Sequence, residues 1–244
     1  MNARWDFDLV DLTRPLTGAT ILALLGDSVA GEAFERYRTV EVEREESWEA
    51  SNSVVCRFSL ADHVGTHVDA PSHCLRDGAG IEAVPLRNLI GEAVVLDLDV
   101  GDRDHGYTAA DFEHAAERVE PGDIVLIHSG FRDCLPTGRV RQSYLTPEAA
   151  EWLVDRGVRA VGVEPGGAEH CWDGVFVHRW DDPAGPDPDP WPVHRVLLGN
   201  GVSIVEGLTN LSGLRGRRVR FAALPLPIPG LTGSPVRAVA WRDR

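Results

Sequence analysis

The chain has 244 residues, of which 43% are hydrophobic and 25% charged, and its formal net charge is −14. This composition is typical of a globular protein, and the acidic excess argues against nucleic acid or an anionic membrane as a partner, because both require clustered positive charge. All 24 basic residues are arginine, which excludes chemistry that needs a lysine amine, such as Schiff-base or pyridoxal catalysis. No apolar stretch approaches the roughly 20 residues of a transmembrane helix, and the N-terminus is acidic where a signal peptide is apolar. We therefore expect a cytoplasmic protein.

Apolar patterning divides the first half of the chain into strands and one helix. Alternating or continuous apolar runs predict strands at residues 7–12, 54–60, 93–99 and 124–127. Thr108, followed three residues later by Asp111, resembles a capping box and predicts a helix that continues to about residue 118. Pro121 and Gly122 then predict a turn into the strand at 124–127.

The second half begins with a clearer helix signal. Thr146 is a suitable N-cap, Pro147 suits the first helical position, and Gly157 suits the C-terminal stop. An apolar strand at 160–163 follows, and the order strand, helix, strand predicts a crossover unit with parallel pairing. Later elements are predicted as a short helix at 193–198 and strands at 202–205, 219–224 and 236–241. Because no repeat or long linker divides the sequence, we predict one α/β domain over residues 1–244, rich in β-structure and partly barrel-like.

Between these elements, the segment 164–192 loses all regularity and is rich in proline, glycine and aspartate. Long irregular loops inside a domain often act as lids or binding loops, although a surface insertion explains the composition equally well. Four aromatic side chains favour a substrate or subunit contact: Trp172, Phe176, Trp180 and Trp191.

The strongest chemical signal is the segment HVGTHVDAPSH, which places His63, His67, Asp69 and His73 within eleven residues. Imidazole and carboxylate together form a ligand set for zinc, manganese or iron. In a continuous strand the Cα atoms of His63 and His67 would be about 13 Å apart, too far to share an ion. Gly65 permits a turn that brings the two rings together, and Asp69 then points to the same side as His67. The alternative is a histidine-rich surface turn.

The motif H-x-G-T-H-x-D-A-P-x-H resembles the signature of the cyclase family, which includes bacterial kynurenine formamidases and isatin hydrolases. The resemblance extends along most of the chain. DLTRPL at 11–16 is similar to the N-terminal strand and turn of the family, and PVHRVLLGNGVSIVEGLTNL at 192–211 is similar to its C-terminal signature. PGDIVLIHSG at 121–130 and RAVGVE at 159–164 resemble its central strands. The resemblance implies a fold of the swivelling β/β/α type.

The family pattern also implies roles for individual residues. His63, His67 and Asp69 would bind one metal ion, and Asp69 would bridge to a second ion held by His194 and Glu206. His73 would be the general acid/base. The resemblance further implies one or two divalent ions per subunit, Zn²⁺ or Mn²⁺, and a homodimer or homotetramer.

This arrangement predicts a metal-dependent hydrolase of a small molecule. A divalent ion would lower the pKa of bound water for attack on an amide, lactam or ester carbonyl, with His73 moving the proton. Formamides such as formyl-kynurenine and cyclic amides such as isatin-like compounds are the expected substrates. Two departures weaken the case for formyl-kynurenine: residues 17–34 lack the family's tryptophan-bearing turn, and GGAEHCWDGVFVHRW follows Pro165 instead of a short Asp/Ser motif. The alternatives are a metal-dependent cyclase or dehydratase in natural-product biosynthesis and a non-catalytic metal-binding or scaffold protein.

Overall fold

The computed structural model describes residues 7–17, 40–99, 105–115, 119–130, 143–165, 167–169 and 191–243. Its strands, in chain order, are β1 Phe7–Asp11, β2 Glu41–Glu46, β3 Val55–Ser59, β4 His67–Asp69, β5 Ile90–Asp97, β6 Gly106–Tyr107, β7 Ile124–His128, β8 Tyr144–Leu145, β9 Ala160–Val163, β10 Ser203–Glu206, β11 Arg218–Ala222, β12 Gly233–Pro235 and β13 Val239–Asp243. Its α-helices are α1 Trp48–Ser51, α2 Leu86–Leu89, α3 Ala109–Ala115, α4 Pro147–Asp155 and α5 Pro192–Gly199, and 3₁₀ turns occur at Pro71–His73, Ile81–Ala83 and Leu211–Leu214.

One large sheet of nine strands, in the order β1-β13-β11-β5-β7-β9-β10-β4-β12, carries the fold. Its centre, β5-β7-β9-β10, is parallel, and both flanks are antiparallel. The sheet curls into a half-barrel, so the predicted class, a β-rich and partly barrel-like α/β fold, is confirmed. β2 pairs with β3, and β6 pairs with β8, in separate two-stranded sheets.

The predicted crossover is present between β7 and β9, which pair in parallel. α4 lies between these two strands in the chain and begins where the sequence predicts, because the Thr146 hydroxyl accepts a hydrogen bond from the Ala149 amide at 3.3 Å. Gly157 ends this region with φ of +70°, a conformation that glycine adopts without the steric penalty of a side chain. The local sequence signals therefore fix both ends of α4.

Side chains along the central strands alternate between two buried cores, one on each face of the sheet. On β7, Val125 and Ile127 enter the core that contains Phe112 of α3, Leu153 of α4 and Leu197 of α5. Ile124 and Leu126 enter the opposite core, which contains Leu12, Val68 and Phe221. This alternation follows from the two-residue period of a strand. With both faces buried, the central strands read as continuous apolar runs.

Other predicted elements differ from the observed ones in their surroundings or their ends. The strand predicted at 54–60 is observed as β3, whose five residues are all exposed in a hairpin with β2. The strands predicted at 219–224 and 236–241 are observed at 218–222 and 239–243. Residues 116–118 of the predicted first helix, and Trp172, Phe176 and Trp180, lie outside the described residues. Within the described ranges, no helix has the length and apolarity to span a bilayer.

Candidate metal centre

Strand β4 places two of the predicted site residues on one face. It is three residues long and runs antiparallel between β10 and β12. His67 and Asp69 point to the same side, while Val68 between them enters the core on the other side. Glu206, the last residue of β10, is the direct cross-strand partner of His67. Strand pairing alone therefore brings Glu206 to the histidine-rich motif.

A turn at Gly65 brings His63 close to Asp69. Gly65 has φ of +65°, which confirms the turn that the motif requires. His63 Nδ1 lies 2.8 Å from Asp69 Oδ1, and its Nε2 lies 2.9 Å from the Thr232 hydroxyl. The rings of His63 and His67 are 5.2 Å apart between centroids.

Helix α5 supplies the remaining imidazole. His194 lies in its first turn, directly after Pro192 and Val193, and is 2% exposed. His194 Nε2 lies 3.3 Å from Asp69 Oδ2 and 3.3 Å from Glu206 Oε1. Glu206 Oε2 in turn lies 3.5 Å from His67 Nε2. Two elements far apart in the sequence thus converge on Asp69.

The donor atoms form two clusters, each with all its atoms within 4.8 Å of one another. One cluster is His63, His67 and Asp69; the other is Asp69, His194 and Glu206. These are the five residues that the family pattern implies, and Asp69 belongs to both clusters. Asp69 Oδ2, the atom that faces His194, is buried and makes no hydrogen bond within the described part of the chain. A buried, unsatisfied carboxylate oxygen of this kind fits a divalent cation, and the role of each residue as a ligand stays a prediction.

The buried carboxylates of this region require compensating positive charge. Burial alone would raise the pKa of Asp69, but the imidazoles of His194, His63 and His67 around it hold that pKa well below its ordinary value. Burial alone would lower the pKa of His67, but Asp69 and Glu206 outweigh it and raise the pKa to about 9. The pKa of His194 is raised for the same reason, by Asp69, Glu169 and Glu206 against the effect of burial. The carboxylates therefore attract positive charge, which protons or a metal ion can supply.

His73 differs from the other histidines of the motif. It ends the 3₁₀ turn Pro71–His73, and its ring stacks on that of His63 with 3.9 Å between centroids. Burial, together with the neighbouring imidazoles, lowers its pKa to about 4, although Asp69 acts in the opposite direction. His73 is therefore neutral near pH 7, as a proton acceptor must be. Trp191 lies beside it, at 5.7 Å between ring centroids.

Comparison with known proteins identifies the family of this chain. The family model for cyclases matches residues 10–170. The chain belongs to the cyclase family. A kynurenine formamidase from Salinibacter ruber is 30% identical over 190 residues, covering 74% of this chain and 76% of that protein. A kynurenine formamidase from Erythrobacter litoralis is 28% identical over 201 residues, covering 75% of this chain and 76% of that protein.

Solved structures extend the similarity of this cyclase-family protein to nearly the whole chain. Isatin hydrolase A from Labrenzia aggregata, bound to benzyl benzoate, is 26% identical with a TM-score of 0.75 and covers 98% of this chain and 94% of its own. A potential metal-dependent hydrolase with cyclase activity is 28% identical with a TM-score of 0.70, and 98% of each chain is covered.

Sequence reasoning missed two contacts in the irregular segment after β9. The Ala168 amide donates a hydrogen bond to Glu206 Oε1 at 2.7 Å. Glu169, which is 5% exposed, accepts a hydrogen bond from the His194 amide at 2.8 Å. Neither residue belongs to a periodic pattern or a recognisable motif, so only the three-dimensional structure relates them to the candidate metal centre.

Proposed function

We propose that this cyclase-family protein is a metal-dependent hydrolase that attacks the amide, lactam or ester carbonyl of a small molecule. The observation that carries the proposal is the sharing of Asp69 between two three-residue donor clusters, with a neutral His73 beside them. Relatives named kynurenine formamidase and isatin hydrolase support cleavage of a carbon–nitrogen bond outside a peptide.

Two divalent ions, Zn²⁺ or Mn²⁺, would occupy the candidate metal centre. His63, His67 and Asp69 would hold one, and Asp69, His194 and Glu206 the other. Bound there, divalent ions supply Lewis acidity, which lowers the pKa of water and polarises a carbonyl oxygen. The donor set of imidazole nitrogens and carboxylate oxygens is the kind that binds Zn²⁺ or Mn²⁺.

His73 would move the proton. As a neutral imidazole it accepts the proton that water loses when its oxygen bonds to the carbonyl carbon. It then donates that proton to the leaving nitrogen or oxygen as the bond to carbon breaks. Its stacking on His63 holds the ring beside the donor clusters without placing it among them.

A planar, ring-containing substrate fits the surroundings of His73. The ring of Trp191 lies 5.7 Å from that of His73 and 5.3 Å from that of His194, so it borders the reacting region on one side. Aromatic faces favour offset or edge contacts with other planar rings. We therefore favour a cyclic amide or an aryl formamide over an aliphatic ester.

We also propose a homo-oligomer, homodimer or homotetramer. The β2–β3 hairpin exposes Val42, Trp48, Val55 and Phe58 to between 44% and 67%. An isolated two-stranded hairpin is only marginally stable in water, so such a surface is expected to pack against another element. A cytoplasmic location, inferred from the sequence, remains part of the proposal.

The test is a panel of aryl formamides, lactams and esters, incubated with protein reconstituted with Zn²⁺ or Mn²⁺ and followed by mass spectrometry. Hydrolysis adds the mass of water to the substrate, whereas a cyclase or dehydratase removes it, so the sign of the mass change decides between the two reactions. His73→Ala is the matched control. A turnover that this variant retains at the wild-type rate would contradict the proposed role of His73, and no turnover in any arm would favour a non-catalytic protein.

A further inference from the structure

The candidate metal centre contains a third buried carboxylate, Glu169, whose position differs from those of Asp69 and Glu206. Asp69 and Glu206 face His194 Nε2, each at 3.3 Å. Glu169 Oε1 instead lies 3.4 Å from His194 Nδ1, on the other side of the ring. Among the described residues, Glu169 belongs to neither donor cluster. It therefore contacts a candidate ligand without being placed to act as one.

The two nitrogens of an imidazole cannot both be free for a metal when the ring is neutral, since one of them carries the proton. If His194 Nε2 is the donor atom, its proton sits on Nδ1, which is buried. Glu169 Oε1 is the charged acceptor within ion-pair distance of that nitrogen. The same oxygen accepts the His194 backbone amide at 2.8 Å, so it is held against this residue at two points.

His67 provides an internal comparison. Its Nδ1 lies 3.0 Å from the Gly65 carbonyl oxygen, which leaves Nε2 facing Asp69 and Glu206. Both imidazoles are thus oriented through Nδ1, one by a neutral carbonyl and the other by a carboxylate. A carboxylate partner fixes the tautomer and raises the basicity of a metal-binding imidazole more than a neutral partner does.

We propose that Glu169 is a positioning residue for the metal ion at Asp69, His194 and Glu206, holding the His194 ring with Nε2 directed at that ion. The inference rests on the proposed metal-dependent function. The two ions therefore differ in their dependence on Glu169. The ion at His63, His67 and Asp69 does not depend on it, whereas the ion at Asp69, His194 and Glu206 does.

The experiment is a Zn²⁺ titration of metal-stripped full-length protein against a chromophoric chelator, for wild type and Glu169→Gln. Glutamine keeps the size and one acceptor oxygen but removes the charge. We expect the affinity for one of the two ions to fall about 10- to 100-fold and the other to change less than about 3-fold. Co²⁺-loaded protein should show an altered visible spectrum for the same ion.

Glu164→Gln is the matched control, because Glu164 is 4% exposed but its carboxylate contacts Ser129 instead of a donor residue. It should leave both affinities unchanged. Equal affinities in Glu169→Gln and wild type would overturn the inference. So would a parallel loss of both ions with a lower melting temperature of the metal-free variant, since that indicates a structural role. A wild type that binds no ion would refute the proposed function itself and the inference with it.

Discussion

A close backbone approach in the candidate metal centre involves Gly207, the residue after Glu206. Gly207 has φ of +70°, and a Cβ built on it would lie 2.3 Å from the Gly65 carbonyl oxygen and 2.9 Å from the Gly65 carbonyl carbon. The Thr66 hydroxyl also donates a hydrogen bond to the Gly207 carbonyl at 2.7 Å. This contact joins the end of β10 to the turn that precedes His67. We expect Gly207→Ala to move the end of β10 away from this turn.

The magnitude follows from comparison with Gly201→Ala. Gly201 has φ of +77°, but a Cβ there would meet nothing within 4 Å. The alanine at 201 therefore suffers only the left-handed backbone penalty, about 1 kcal/mol. At 207 the same penalty applies, and relief of the clash requires a backbone shift of about 1 Å, which adds about 1–3 kcal/mol of strain. We expect a total loss of about 2–4 kcal/mol in the free energy of unfolding.

Urea denaturation of both metal-free variants measures these losses, and Zn²⁺ titration measures the effect on the donor clusters. Because Glu206 and His67 flank the clash, a displacement of this size should weaken Zn²⁺ binding by Gly207→Ala about tenfold or more, but not by Gly201→Ala. If Gly207→Ala loses no more stability and no more affinity than Gly201→Ala, the close approach does not hold the two halves of the site together.

Three further predictions concern charge and proton transfer. In the metal-free protein, His67 has a pKa of about 9, against 6.5 when unperturbed. Its contribution to stability is therefore complete below pH 6.5 and is lost as the pH rises to about 9. Chemical denaturation should show a loss of up to about 3 kcal/mol in the free energy of unfolding over this pH range, and a smaller loss for His67→Gln. His73→Gln should lower kcat about 10²- to 10⁴-fold without changing metal content; a fall in metal content would instead make His73 a ligand. Arg218 donates hydrogen bonds of 2.6 and 2.9 Å to the buried carboxylate of Asp123, so Arg218→Met should lower the free energy of unfolding by about 2 kcal/mol. Arg220 pairs with Glu92 at the surface, so Arg220→Met should change it by less than about 0.5 kcal/mol. Equal losses in the two variants would contradict the importance of burial.

The sequence predicts the elements whose signals are local. Thr146 and Gly157 mark the ends of α4 because capping depends on residues within one turn. The continuous apolar runs of β7 and β9 follow from burial on both faces. The motif from His63 to His73 is equally local, since a single turn at Gly65 suffices to bring its side chains together.

Contacts between distant segments have no such local signal in the sequence. Glu206 and His194 came only from resemblance to a family, because a carboxylate at a strand end and a histidine in a helix carry no signal by themselves. Strand β12, with Pro235 and no apolar alternation, is defined by its pairing with β4 and was not predicted. Strand β2, EVEREE, is charged at every position except Val42 and is exposed throughout, so it has no hydrophobic pattern to detect. Glu169 was missed because its partner, His194, is reached only through the fold.

We propose that Asp69 is shared by two metal ions, and the metal content per subunit tests this sharing directly. Inductively coupled plasma mass spectrometry should be applied to wild type and Asp69→Asn after reconstitution with Zn²⁺ and with Mn²⁺. We expect two equivalents of one of these ions in the wild type and loss of both in the variant, because Asp69 belongs to both clusters. A wild type that binds neither ion, or an Asp69→Asn variant that retains both, would contradict it.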